Sequence, residues 1–400
     1  MVRTVPTSPV PPGRSPAARS RGREANRTTL RTCSLIRLSR STALGLALAS
    51  IVAALSGCAT GSAVRLEEQP LSKSRDWVST LGRANPLVGG IWQVREHRFV
   101  DEATLVGALT QADFILLGET HDNPDHHLLQ AKLVQAICST GRQPALAFEM
   151  LQTNKQAAVN SALVGRTPTP ETLAAAVDWK HSRWPDFAIY RPIFAAGIRA
   201  GLPLLAADLT QESVRLFSSE GLSAFSSAVR GLLDRAGPLP PKLEREMEDE
   251  MESVHCGQLP RSALAHLVVL QRARDASLAN RLLTADAEFS SAGYEQGAIL
   301  IAGSGHVRTD RGVPAYVSRE APERSVVSVA FLEVSASMSE PNDYAKELGV
   351  EALPFDYAVF TPATERRDPC LEFKRKPEVP DGRTVALGLS GNPFPHLRIE

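Results

Sequence analysis

Long apolar runs, cysteine and net charge of either sign are what this chain of 400 residues has least of. No stretch reaches the roughly 20 apolar residues of a membrane-spanning helix. Five cysteines without a CxxC pair argue against a cysteine zinc site and against a small disulfide scaffold. GxSxG, GxxxxGK and HExxH are all absent, which removes the serine-hydrolase elbow, the P-loop and the zincin helix as templates. What remains is ordinary globular composition, 43% hydrophobic and 22% charged, in a chain long enough to bury a large core.

The zero net charge conceals two unlike parts. Residues 1–57 hold nine arginines against one acid, Glu24, so residues 58–400 carry 35 basic and 43 acidic groups, a balance of −8. An acidic body has no long-range attraction for polyanions, and nucleic acid is not an expected partner. At the join, Arg37 and Arg40 precede an uncharged run from Ala43 to Leu55 that ends Leu55-Ser56-Gly57-Cys58. A basic flank, a short apolar segment and small residues before a cleavage point make a secretory signal. Its final cysteine resembles the bacterial lipobox, in which the thiol of Cys58 is lipid-modified and becomes the mature N-terminus. Two acyl signals are enough for stable attachment to a bilayer. Ala59, rather than an aspartate, after the cysteine points by the same resemblance to the outer membrane, with the domain facing the periplasm or exposed at the surface. Beyond the leader and the anchor, Cys138, Cys256 and Cys370 allow one disulfide at most.

Residues 58–85 read as a tether, 86–370 as a folded domain and 371–400 as a loose tail. Within the domain five apolar runs have the look of buried strands, each closing on a glycine or a polar residue: Phe114–Leu117, Ala145–Phe148, Leu202–Ala207, Ala298–Ala302 and Ser325–Leu332. The segment His127–Ile137 between the first two has helical periodicity. Strands alternating with helices predict an α/β fold, a mostly parallel central sheet flanked by helices. Residues 211–290 hold more helix than a crossover requires and are expected to form an inserted helical subdomain or lid.

Ligands of an open α/β sheet sit beyond the carboxyl ends of its strands. Three of the strands end in polar groups there. The first delivers Glu119 and His121, the second Glu149, and the fourth His306 between Gly305 and Val307. Two carboxylates and two imidazoles around one crevice suit a divalent metal ion or an acid/base pair acting on water. Other polar residues invite plainer readings. Asp122 or Asp125 is expected to cap the following helix, and His126 and His127 to be solvated or capping. Arg272, Arg274 and Asp275 are expected in ion pairs, and His255-Cys256 packed beneath the lid.

The run Gly118-Glu119-Thr120-His121-Asp122-Asn123-Pro124-Asp125-His126-His127, followed by Phe148-Glu149-Met150, resembles the ChaN family of haem-binding lipoproteins. The likeness continues through Trp184-Pro185, Tyr190-Arg191-Pro192, His255-Cys256-Gly257 and Gln271-Arg272-Ala273-Arg274-Asp275. It ends in Gly303-Ser304-Gly305-His306-Val307-Arg308, Arg311-Gly312-Val313-Pro314 and Phe355-Asp356-Tyr357. It implies a Tiki/erythromycin-esterase-like fold and a role in haem or iron acquisition at the outer membrane. Haem, membrane lipid, an outer-membrane haem receptor and a second copy of the chain in a homodimer are the partners it brings. Haem ligation in the family is by tyrosine, which leaves Tyr190 and Tyr357, with Arg274 or Arg308 as the cation for the propionates. The wider superfamily implies an alternative, a metal-dependent hydrolase built on Glu119, His121, Glu149 and His306. Its esterase branch spaces the first acid and histidine one residue wider, a departure that weakens esterase chemistry here but keeps the cleft.

Overall fold

The computed structural model describes residues 76–164, 167–291, 297–367 and 370–371. The leader, Cys58, most of the tether and the tail from 372 onward lie outside the described residues. Among the described residues no helix is long and apolar enough to cross a membrane.

The chain opens with a hairpin, β1 (Ile91–Gln93) and β2 (Arg98–Val100), and continues through α1 (Glu102–Gln111) into β3 (Phe114–Glu119) and α2 (Pro124–Ser139). Next come β4 (Ala145–Gln152), α3 (Gln156–Leu163), α4 (Pro170–Ala176), α5 (Phe187–Arg199) and β5 (Leu204–Asp208). Four consecutive helices follow: α6 (Gln211–Glu220), α7 (Ser227–Ala236), α8 (Pro241–Val254) and α9 (Arg261–Ser291). The last part is β6 (Ala298–Gly303), α10 (Val313–Glu320), β7 (Val326–Glu333), α11 (Pro341–Glu347) and β8 (Tyr357–Thr361).

The eight strands form one sheet in the order β2-β1-β8-β7-β3-β6-β4-β5. The six from β8 to β5 run parallel, and the β1–β2 hairpin closes one edge antiparallel. The expected α/β class and all five expected strands are present. The hairpin and β8 escape a pattern reading because strands of three to five residues carry too little periodicity.

Alternation along the strands divides the core in two. Ile115, Leu117, Leu146, Phe148, Ile299 and Ile301 point to the face covered by α1 to α5, where Phe148 stacks on Phe194 at 4.3 Å. Leu116, Ala145, Ala147, Ala207, Leu300 and Ala302 point to the other face. That second face is rich in alanine, and the helix it receives brings alanines of its own, Ala273, Ala276 and Ala279. Small residues on both sides let α9 lie close on β4, β5 and β6. Residues 211–290 are therefore not wholly an insertion. Helix α9 is the sheet's own covering layer, and α7 and α8 pack on it.

The domain also begins earlier than residue 86. The amides of Val78 and Ser79 donate to the Asp125 carboxylate at 3.0 and 2.8 Å, and Leu81 bridges to Ala363. Asp125 is thus spent on holding the incoming chain, and Asn123 caps α2 in its place. Cys256 at the end of α8 is bonded to Cys370, the single disulfide the cysteine count allowed.

Candidate functional site

The carboxyl ends of β3, β4, β5 and β6 converge, and the four strand-end residues meet there. His121 Nδ1 lies 3.0 Å from Glu119 Oε1, and His121 Nε2 lies 4.0 Å from Glu149 Oε1. His306 Nε2 stands 3.3 Å from that same Glu149 oxygen. The geometry depends on two glycines. A Cβ at Gly118 would fall 2.2 Å from the Val307 side chain, and one at Gly303 would press on the His121 ring at 3.0 Å. Only without them can the turn after β6 fold across β3 and carry His306 inward.

The charges in this centre stand in ion pairs within the protein, although Glu119 Oε2 and His306 Nε2 make no hydrogen bond. Glu119 is buried, which on its own would raise its pKa. The charge of His127, 2.7 Å away, and hydrogen bonds from His121 and His127 outweigh that and hold the carboxyl down at about 2. His127 is fully buried and also bonds the His121 carbonyl, while His126 accepts from the Thr120 amide and meets Thr361. Neither is solvated or capping, contrary to expectation: the first turn of α2 lies against the end of β3, so both rings face inward.

Glu149 accepts from Arg274 Nη2 at 2.7 Å and from the Gly303 amide at 2.7 Å. Burial would raise its pKa, yet the charges of His306, His121 and Arg274 keep it well below the usual range. His306 donates from Nδ1 to Asp275 at 2.6 Å. Burial would lower its pKa, and the charges of Glu149 and Asp275 instead push it up to about 9. Arg274 closes the network through Nε and Nη2 on Asp208, at 3.1 and 2.8 Å.

Asp208 and Asp275 were not singled out for this site from the sequence. A signal for Asp275 existed in the spacing of Gln271, Arg274 and Asp275 on α9, which at i, i+3 and i+4 share one helix face. That face points at the strand ends. Asp208 had the same signature as Glu149, an apolar strand closing on an acid.

The two proposed tyrosines do not share a site. Tyr190 is fully buried in α5, where its hydroxyl donates to Glu119 Oε1 and to the His121 carbonyl, each at 3.1 Å. It props up the polar centre and offers no atom to an iron. Tyr357 opens β8, so it lies at the amino edge of the parallel sheet, away from the site, and receives a hydrogen bond from Gln93. The arginines are separated too. Arg308 is paired with Asp310 and lines a cavity of about 230 Å³ with Arg366, Leu332, Val334 and Phe355. Arg274 lines a different one.

A divalent ion does not fit the polar centre. Arg274 brings its positive charge to the Glu149 oxygen that an ion would need, and His306 is protonated on both nitrogens when charged. Among the described residues no group of three or more His, Cys, Asp or Glu has the arrangement to hold a metal ion. The space beside Glu119, His121 and His306 is about 40 Å³, room for about one water, and Met247 and Met251 of α8 close over it.

A larger cavity of about 300 Å³ opens beyond β4 and β5. Its walls include Met150, Trp179, Trp184, Leu209, Val214 and Leu270, and its polar groups include Lys155, His181, Arg183, Arg274, Asp178 and Asp208, with Gln152, Ser182 and Gln211. Trp184 stands edge-on to His121 at 4.9 Å and so borders both regions. Arg274 Nη1 is buried without a hydrogen-bond partner, the one nitrogen of that guanidinium group the centre does not use. A family model described as haem-binding uptake, Tiki superfamily, ChaN matches residues 105–317.

The chain belongs to the ChaN family.

Among solved structures it is similar to ChaN of Campylobacter jejuni, described with cofacial heme binding. There the identity is 19% over 67% of this chain and 95% of that one, with a TM-score of 0.50, a likeness of fold. A type III effector is 17% identical over 65% of this chain and 93% of its own, TM-score 0.36. An erythromycin esterase variant in its open conformation is 14% identical over 68% and 82%, TM-score 0.34. No curated protein matches the chain. For a ChaN protein, the apolar and cationic lining of the larger cavity is the chemistry to compare with haem. Haem is flat, apolar over most of its surface and anionic at two propionates. An aromatic and aliphatic wall, an orphaned guanidinium nitrogen and a lysine are a donor set that fits it.

Proposed function

We propose that this ChaN protein is a lipid-anchored haem-binding protein serving haem and iron uptake at the bacterial outer membrane. The observation that carries the reading is the 300 Å³ cavity with Arg274 Nη1 buried and unpartnered at its wall, in a chain of the haem-binding uptake family. A buried donor without a partner costs roughly 1–3 kcal/mol, a cost that an incoming carboxylate would relieve. Arg274 and Lys155 would hold the propionates, and Trp179, Trp184 and Leu270 the porphyrin face. Bound haem would supply a ligatable iron, and these residues supply shape, charge and exclusion of water. Because the mature chain is acidic overall, this local charge has to work against the field of the whole domain.

The hydrolase alternative has weaker support. The charges of Glu149 and Asp275 push the His306 pKa up to about 9, which favours its protonated form over a general base, and Glu149 is engaged by Arg274 and Gly303. Anchoring rests on the lipobox, with Cys58 carrying the acyl chains.

Two experiments test the reading. Titration of the purified protein with haemin should give a saturable Soret band at a fixed stoichiometry, and a spectrum that merely adds free haemin would overturn it. Radiolabelled palmitate should enter the wild type and not Cys58→Ser, which should leave the membrane fraction. A variant that stays membrane-bound and labelled would remove the anchor from the proposal.

A further inference from the structure

The cavity of about 230 Å³ lies beyond the carboxyl ends of β7 and β8, at the other side of the polar centre from the cavity beyond β4 and β5. Leu332, Val334 and Phe355 are buried in its wall, and Leu81, 45% exposed, and half-buried Leu348 add to its apolar lining. Leu81 is held there by the segment ahead of β1. That segment bridges to Ala363 and lies so close on Val334 that a Cβ at Gly82 would fall 2.6 Å from its side chain.

Volume limits what can enter. A dry apolar cavity of about 150 Å³ holds a benzene ring, so about 230 Å³ admits a molecule of about nine non-hydrogen atoms. Haem is several times that size and is excluded.

Two observations mark the space as a ligand's. Arg308 is only 4% exposed, and its Nε and Nη2 both donate to Asp310, at 2.9 and 2.6 Å. Its Nη1 makes no hydrogen bond among the described residues, and neither do the hydroxyls of Thr120 and Ser304 in the same wall. The second observation is Gly305, which lines both this cavity and the small space beside His306. Its backbone is outside the left-handed region, and a Cβ there would meet nothing within 4 Å. Neither strain nor crowding requires glycine at this wall. The missing side chain leaves room.

Charge selects the class of ligand. The Arg308 guanidinium is answered by Asp310, and that of Arg366 by Asp122 and Glu333. Two cations against three carboxylates leave no surplus positive charge, so an anion would be buried uncompensated. What is unspent is hydrogen-bond donation, from Arg308 Nη1 and two hydroxyls, beside an apolar wall.

We infer that this cavity binds a small neutral molecule with an apolar chain and one carbonyl group, such as a medium-chain ketone or amide. The carbonyl oxygen accepts from Arg308 Nη1, and the chain lies against Leu332, Val334 and Phe355. The site is separate from the haem-binding reading and does not depend on it.

Saturation-transfer NMR titrations of the purified protein with 2-octanone, and with heptanoate as an anion of about the same size, test it. The wild type should bind 2-octanone saturably and heptanoate at least about tenfold more weakly. Leu348→Trp fills the cavity from a half-buried position, so it should keep the wild-type far-ultraviolet dichroism and its haemin titration and lose 2-octanone. Arg308→Lys keeps a charge opposite Asp310 but withdraws the Nη1 donor, and should weaken 2-octanone about tenfold. The inference is overturned if the wild type shows no saturable binding, if heptanoate binds as tightly as the ketone, or if Leu348→Trp binds the ketone like the wild type. Loss of haemin binding in Leu348→Trp would put haem in this cavity and overturn it too. Should Leu348→Trp not fold, an unchanged affinity in Arg308→Lys would have the same force.

Discussion

Around Glu119, Glu149 and His306 the charges are paired inside the protein, whereas a few residues away Lys155, His181 and Arg274 line a cavity. The two regions share the carboxyl edge of one sheet and share Arg274 itself. Its Nε and Nη2 complete the centre, and its Nη1 is buried without a hydrogen-bond partner in a side chain that also lines the cavity. The centre has room for about one water, and the cavity has about 300 Å³. The charges of the centre pair with one another and fix four strand ends and α9, although Glu119 Oε2, Gln271 Oε1 and His306 Nε2 make no hydrogen bond. What separates the two regions is the room each has for a ligand.

The sharpest way to break this contrast is to remove Glu149. Glu149→Ala leaves Arg274 and His306 buried with a carboxylate missing, and should cost about 3–5 kcal/mol in denaturant-monitored stability. A loss below 1 kcal/mol would mean that the centre is not the closed network described here. The cover of that centre can be tested next. The Cys256–Cys370 disulfide closes a loop of 114 residues at the end of α8, and replacing both cysteines with serine should cost about 2–4 kcal/mol. The fluorescence midpoint in urea reads the loss.

Titration sharpens the same contrast. The pKa of His306 is raised in the folded state to about 9, so its stabilising contribution is complete below the unfolded value near 6.5. That contribution should decline as pH rises from 6.5 through 9, by no more than about 3 kcal/mol. Glu119, held down at about 2, acts in the opposite sense: its contribution is complete above about 4.5 and disappears as pH falls through 2. Thermal melts across pH should therefore show a plateau between about 4.5 and 6.5 with a fall on each side. His306→Gln should flatten much of the alkaline side, leaving the part that the raised His127 contributes, and should also weaken the acid side because Glu149 loses the charge that holds its carboxyl down.

The smallest effect belongs to the cavity. Lys155→Ala should change stability by no more than about 0.5 kcal/mol while weakening haemin binding, a separation the centre should not allow. A large stability loss on that substitution would show that the cavity, too, is a structural device.

How much of this was legible in the sequence follows the same division. β3, β4, β5, β6 and β7 are continuous apolar runs because both faces of each are covered, so composition alone revealed them. Glu119, His121, Glu149 and His306 stood out because each breaks such a run at its carboxyl end. They do converge, yet convergence in space did not make them the ligand site. Whether a charged group is satisfied or left open depends on partners such as Asp275, His127 and Arg274, which come from other elements. His181 and Asp178 were not found at all. His181 ends a three-residue turn between helices, without periodicity, and Asp178 precedes that turn in a left-handed backbone. Helix α9 misled in another way. It is buried along most of its length by the sheet on one side and α7, α8 and α10 on others, so its length suggested a separate subdomain where it is a layer of the main one.

The account's central claim is that haem occupies the open cavity and not the closed centre, and a crystal structure of the haemin-loaded protein tests it most directly. The predicted result is porphyrin in the cavity lined by Trp179, Trp184, Lys155 and Arg274, with the space beside Glu119 and His306 unchanged. Porphyrin seated elsewhere, with the cavity beyond β4 and β5 empty, would contradict it.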